Sequence, residues 1–418
     1  MRVISDLHIH SRFAMACSES ITVRGMHDTC VEKGINLIAA GDITHPTWLK
    51  ELKSSLEPAE PGLFKMKGSQ SDVRFVLGGE VSAVFNVDGQ SKRIHQVILM
   101  PEFDSVDALN DILSKKSDLK ADGRPQVWMT GAEIIEAAMK ADKRAFVFPA
   151  HIWTPFFGAL GAKSGFKSLD EAYGDQVKNI FAVEMGLSSN PPMNWRLSSL
   201  SRFALLGNSD MHSLPKIGRE MNVFEIDKKA LSYDTFIKTI KDKDKRSFKM
   251  VLKFFPEEGK YHFDGHRECI VSVDPTKYHI KLCPVCGKKL VIGVMHRIED
   301  LADRPEGYVP NDAVPYFSAV PLREVISYVL KKGAATAAVE NQYKRLVSDV
   351  GTEFDILVNA PIEKIAASST PEIGAAIENM REKRVNVVAG YAGVFGKIDL
   401  LNREKGQPIS ASWKQKML

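Results

Sequence analysis

Seven times in residues 1–225, a short apolar run rich in β-branched side chains ends in a polar or acidic cluster, and a segment of helical or loop character follows. The runs lie at 3–4, 35–40, 73–78, 97–100, 145–148, 180–183 and 203–206. Short apolar runs between helical segments are the pattern of buried parallel strands. Helices are expected at 22–33, 106–114 and 131–140. This punctuation predicts an α/β barrel or a doubly wound sheet. With 44% hydrophobic and 26% charged residues, the 418-residue chain is not disordered. No apolar run approaches the ~20 residues that span a bilayer, so no membrane partner is expected. The first residues turn polar too early for a secretion signal, which predicts a cytoplasmic location.

Beyond the repeat the character changes. A basic connecting segment, 226–254, holds nine Lys or Arg against three Asp between 228 and 253, although the whole chain carries only +4. Residues 255–310 are rich in His, Cys, Pro and Gly. Helical periodicity returns in a domain at 315–400, with apolar positions at 322, 325, 326, 329 and 330, at 343, 346, 347 and 350, and at 373, 376, 377 and 380. A tail, 401–418, closes the chain.

Six of the eleven histidines (His8, His10, His45, His95, His151 and His212) sit at or just after expected strand ends, beside Asp6, Asp42, Glu80, Glu184 and Asp210. In a barrel those ends open into one bowl, so residues distant in sequence meet there. His8 and His10 lie two apart, on the same side of an extended strand, and Asp210 and His212 repeat the spacing. Imidazole and carboxylate suit zinc, manganese or iron, and a carboxylate such as Glu80 can bridge two ions. Ions roughly 3.5–4 Å apart polarise a phosphoryl group and activate water. Asp210, Glu80 and His212 are therefore the catalytic candidates. His27, beside Met26 and Cys30 on a helix, reads as structural.

A second set, His266, Cys269, Cys283 and Cys286, has the spacing of structural zinc, with His262 or His279 as alternatives to His266. Five cysteines without a secretion signal point to thiolate ligation rather than disulfides. Lys288, Lys289, His296, Arg297 and Arg304 flank this set and, with the basic segment, can form a surface for phosphates.

The motifs Asp6-Leu7-His8-Ile9-His10-Ser11, Gly41-Asp42-Ile43-Thr44-His45, Gly79-Glu80, His95, Pro149-Ala150-His151 and Gly207-Asn208-Ser209-Asp210-Met211-His212 resemble, in order, those of the PHP (polymerase and histidinol phosphatase) superfamily. The resemblance implies a seven-stranded distorted βα barrel that hydrolyses phosphoesters. It places one ion on His8, His10, Glu80 and Asp210, and a second on Glu80, His95 and His151. His45 and His212 would serve a third. Members with a full third site carry another histidine soon after the first pair. Here residues 11–16 have none, so Asp42 or water would substitute, or that site would be weak or empty.

Three further stretches, 186–196, 265–305 and 390–397, make nearly the whole chain resemble endonuclease Q, a DNA-repair family. The resemblance implies cleavage of single- or double-stranded DNA 5′ of deaminated bases (uracil, hypoxanthine, xanthine) and abasic sites, leaving 3′-hydroxyl and 5′-phosphate ends. It implies structural zinc and a divalent cofactor such as magnesium or manganese, with zinc also expected in the PHP site. Ala392, and Asn190 where Asp is expected, depart from the family pattern. Trp195, Arg196, Lys288, Lys289 and Tyr391 are the DNA-binding candidates, and Trp153, Phe156 and Phe157 also follow strand ends. The alternative is a PHP-type phosphatase for a small phosphorylated metabolite, which shares the barrel but has no need of basic flanks. Residues 406–413, with one Gln and one aromatic, faintly resemble a sliding-clamp peptide.

Overall fold

The computed structural model describes residues 1–402. Each expected apolar run falls on a strand: Arg2–Asp6, Leu37–Ala39, Arg74–Val87, Gln90–Met100, Phe146–Pro149, Ala182–Glu184 and Ala204–Leu206. Arg2–Asp6, Leu37–Ala39 and Arg74–Val87 are parallel neighbours. The expectation of parallel strands fails at the fourth run. Gln90–Met100 folds back antiparallel on Arg74–Val87, and Phe146–Pro149 pairs antiparallel with it in turn. The cause is the Asp88-Gly89 turn, with φ of 49° and 75°, the left-handed pair that a tight hairpin requires.

Backbone hydrogen bonds carry the ring of strand ends further. Ile152 N donates to Glu184 O (3.0 Å), Ala204–Leu206 runs parallel to Ala182–Glu184, and Asp210 N donates to His8 O (2.9 Å). The last of these joins the seventh run to the first.

The basic segment is more than a connector. It forms helix Tyr233–Asp242 and strand Phe248–Lys253, which pairs with Met221–Glu225 in the main sheet. Several of its cations are already paired: Lys243 with Asp312, Lys238 with Asp242 and Arg246 with Asp244. Lys253 is fully buried, ion-paired with Glu220 and donating to Gly186 O at 2.7 Å.

All three expected C-terminal helices are present, at Leu322–Leu330, Ala337–Asp349 and Pro371–Arg381. Glu353–Val358 and Ile362–Ala367, each too short to show a period, lie between the last two. This region is fused to the rest by strand Tyr316–Ser318, which joins Phe248–Lys253, and by a buried ion pair, Lys33 to Glu353 at 2.9 Å. Glu353 also accepts from Leu322 N and Tyr343 OH, both at 3.0 Å. Gly34 makes this junction possible: its φ of 78° caps helix Val23–Lys33, and an added Cβ would lie 2.5 Å from Thr352 Oγ1. Removing one member strands a buried charge, so Glu353→Ala is expected to lose about 3–5 kcal/mol in chemical denaturation. A loss under 1 kcal/mol would contradict this role.

No helix among the described residues is long and apolar enough to cross a membrane. The clamp-like stretch, 406–413, lies outside the described residues.

Candidate metal centre

The strand ends bring two donor sets together, and Glu80 belongs to both. Its Oε2 lies 3.4 Å from His8 Nε2 and 3.3 Å from His10 Nε2, while Asp210 Oδ1 lies 3.1 Å from His10 Nε2. Its Oε1 faces His95 Nδ1 at 2.7 Å and His151 Nε2 at 3.0 Å. Within each set the donor atoms all lie within 4.8 Å of one another. Three of the residues that shape this centre hold left-handed backbone without being glycine: Asp42 (φ 43°), His151 (φ 29°) and Asp210 (φ 46°). Strain of this kind concentrates at functional sites.

The electrostatics are those of a cation site. Burial alone would lower the pKa of His8, but Glu184, Glu80 and Asp210 outweigh it and hold the group well above its usual value. Burial would raise Glu80, but the charge of His8 and the hydrogen bonds of His10 and His151 keep it well below the usual carboxylate range. Burial drives His95 down to about 4, leaving it neutral with a lone pair to give. His8 Nε2 and His95 Nδ1 are buried without a hydrogen-bond partner among the described residues. Unpartnered imidazole nitrogens facing shared carboxylate oxygens fit divalent cations.

A second layer fixes the ligands. Glu184 accepts from His8 Nδ1 (2.9 Å), from His151 N (2.8 Å) and from Asn208 Nδ2 (2.8 Å). Asp42 bonds His10 Nδ1 at 3.0 Å and Ser11 N at 2.6 Å, so it orients a ligand. Such partners set the tautomer and orientation of the ligand.

The residues expected at a third ion form no further tight donor set among the described residues. His45 Nδ1 accepts from Trp48 N at the start of helix Pro46–Ser55, and its ring stacks on Phe13 at 4.3 Å. His212 stays near, its ring 4.8 Å from that of His10, with Nδ1 donating to Asp210 O at 2.9 Å. Sequence reasoning missed Arg124, whose Nη1 lies 3.3 Å from Glu80 Oε2. It sits on a loop without periodicity or motif. The adjacent Gly123 packs so close to Asp42 that an added Cβ would sit 2.4 Å from its Oδ2.

The second set converges as well. His266, Cys269, Cys283 and Cys286 form one group, with His266 Nδ1 3.6 Å from Cys286 Sγ. The geometry selects His266 over His262 and His279. The knuckle is held by Gly287 N donating to Cys283 O (2.9 Å) and Cys283 N donating to Lys288 O (2.7 Å).

The expected DNA-binding residues are scattered. Lys288 and Lys289 are exposed, and Lys288 pairs with Glu268 at 3.3 Å. Arg196 is committed to Glu299, a pairing that ties the 186–196 loop to helix Val294–Leu301. Trp195 is half-buried against Tyr316, and Tyr391 is buried over Gly265. Trp153 is buried, donating to Asn194 Oδ1 at 2.8 Å. Phe157 stacks on His95 at 4.5 Å, and Phe156 is exposed.

Residues 321–384 match the family model of the MJ0043 C-terminal domain. The MJ0043 protein of Methanocaldococcus jannaschii is 32% identical over 240 residues, which span 56% of this chain and 30% of that longer protein. The crystal structure of the lesion-specific endonuclease PfuEndoQ from Pyrococcus furiosus superposes with a TM-score of 0.84 at 31% identity, over 97% of this chain and 98% of that one. Endonuclease Q in complex with a 27-mer duplex bearing an abasic lesion at its active site superposes with a TM-score of 0.83, also at 31% identity, over 97% and 99%. On identity, coverage and fold together, the chain belongs to the endonuclease Q family.

Proposed function

We propose that this protein is a DNA-repair endonuclease. It hydrolyses the phosphodiester 5′ of deaminated bases (uracil, hypoxanthine, xanthine) and abasic sites, leaving 3′-hydroxyl and 5′-phosphate ends. The observation that carries the reading is Glu80, fully buried, with one oxygen facing each of two imidazole-bearing donor sets. Likeness to an endonuclease Q bound to abasic DNA supports the substrate.

His8, His10, Glu80 and Asp210 would hold one divalent ion and Glu80, His95 and His151 a second. When bound, such ions polarise a phosphoryl oxygen and activate water near neutral pH. By engaging His8 Nδ1, Glu184 fixes the ring with Nε2 on the Glu80 side. His212 commits its Nδ1 proton to the Asp210 carbonyl, and burial lowers its pKa, so Nε2 is free to take a proton. Arg124 supplies a permanent positive charge beside Glu80, suited to a phosphate oxygen. Four-donor Cys and His sets such as His266, Cys269, Cys283 and Cys286 suit structural zinc.

The experiment is a cleavage panel: duplex and single-stranded oligonucleotides with one uracil, hypoxanthine or abasic site, beside small sugar phosphates. Cutting of the lesion strand alone is expected. Turnover of a sugar phosphate with intact oligonucleotides would install the phosphatase reading instead. Glu184→Ala is expected to weaken metal binding by ~10–100-fold in a titration; unchanged affinity would remove Glu184 from the centre.

A further inference from the structure

A metal-binding imidazole is usually oriented through its other ring nitrogen. His8 and His10 follow that rule, with Nδ1 held by Glu184 and by Asp42. His151 does not. Its Nε2 faces Glu80 Oε1 at 3.0 Å, while its Nδ1 is buried with no hydrogen-bond partner among the described residues. The ring therefore takes its direction from the backbone that carries it. His151 N donates to Glu184 Oε2 at 2.8 Å, and Ile152 N donates to Glu184 O at 3.0 Å. Gly186, at φ 63°, packs so close that an added Cβ would lie 2.5 Å from His151 Cβ.

Gly186 is in turn held from outside residues 1–225. Its carbonyl accepts from Lys253 Nζ at 2.7 Å, whereas Ser189 N stands at 3.5 Å from the same oxygen. Lys253 ends strand Phe248–Lys253, and its stem lies against Gly207, where an added Cβ would sit 3.1 Å from Lys253 Cδ. Glu220 pairs with the ammonium, and its other oxygen accepts from Phe254 N at 3.2 Å. Both charged side chains are fully buried.

Stability is a poor account of this pair. Burial pushes the Glu220 carboxyl up to about 7 even with Lys253 beside it, and pushes Lys253 down even with Glu220 beside it. Apolar side chains of similar volume often fill such a place as well or better. What they cannot do is donate to Gly186 O. We propose that Lys253 is a positioning residue for the second ion: through the Gly186 carbonyl it sets the backbone on which His151 stands, and Glu220 holds the lysine in place. The inference rests on the two-ion reading above and extends the centre to a residue beyond the stretch that carries its motifs. Lys253 counts among the cations of the basic segment, yet it has no surface to offer a phosphate. Its own carbonyl accepts from Ala319 N at 2.8 Å, so one residue joins the metal centre to the start of the C-terminal region.

The test is a manganese(II) titration of the full-length protein followed by electron paramagnetic resonance. Manganese suits imidazole and carboxylate donors rather than thiolates, so the cysteine-bearing element stays silent. Wild type is compared with Lys253→Met/Glu220→Gln, with His95→Ala, and with the three substitutions together. Gln at 220 keeps an acceptor for Phe254 N, and the replaced pair leaves no stranded charge. Wild type is expected to take up two ions. The paired replacement is expected to weaken one of them about tenfold, the one that His95→Ala removes. It is expected to leave the ion that remains in His95→Ala protein unchanged. Equal weakening of both ions, or no weakening of either, overturns the positioning role and leaves the two-ion centre standing. Wild type that takes up fewer than two ions removes the two-ion reading, and this inference with it.

Discussion

Asp210→Asn protein is expected to fold, to lose an ion from the His8, His10, Glu80 and Asp210 set, and to cut lesion DNA at least ~10³-fold more slowly. Asp210 Oδ1 is the atom 3.1 Å from His10 Nε2, and a neutral amide there removes the negative charge: burial would raise the carboxyl, but the imidazoles of His8 and His10 hold it well below its usual pKa. Asparagine is the informative replacement, because it tolerates the left-handed backbone (φ 46°) that alanine would strain. Elemental analysis and single-turnover cleavage on one preparation check both halves. A variant with wild-type metal content and rate would show that the carboxylate does not serve the chemistry.

Cys283→Ser is expected to unfold the cysteine-bearing element while sparing the N-terminal α/β region. The element's own core is Val271, Val273, Cys283 and Leu290, too small to stand alone. Structural zinc contributes on the order of 10–16 kcal/mol in comparable small elements. Zinc content should fall, limited proteolysis should cut between residues 264 and 290, and the ions around Glu80 should remain. Retained protease resistance without bound zinc would show that the element folds without metal.

Strand positions and both donor sets were legible in the sequence because each rests on a local pattern. β-branched runs mark buried strands, and His8-x-His10, Asp210-x-His212 and Cys283-x2-Cys286 carry their spacing with them. Strand direction was less legible. The hairpin between Arg74–Val87 and Gln90–Met100 was announced by Asp88-Gly89 alone, inside a stretch otherwise read as two separate runs. Long-range partners were hidden altogether. Arg124 reaches Glu80 across 44 positions from a loop with no period, and Lys33 finds Glu353 only once the helical region docks. The place of His45 after a strand end suggested a ligand, and the same place starts a helix, which its Nδ1 caps. Arg196, a DNA-binding candidate, is held by Glu299, a partner that lies more than 100 residues away.

The most direct measurement is to map the ends left by metal-loaded wild type on a duplex with a single abasic site. The account predicts one nick on the 5′ side of the lesion, a 3′-hydroxyl and a 5′-phosphate, with cleavage lost on metal removal and restored by manganese or magnesium. Cleavage on the 3′ side, ends other than these, or an intact strand at full metal occupancy would contradict it.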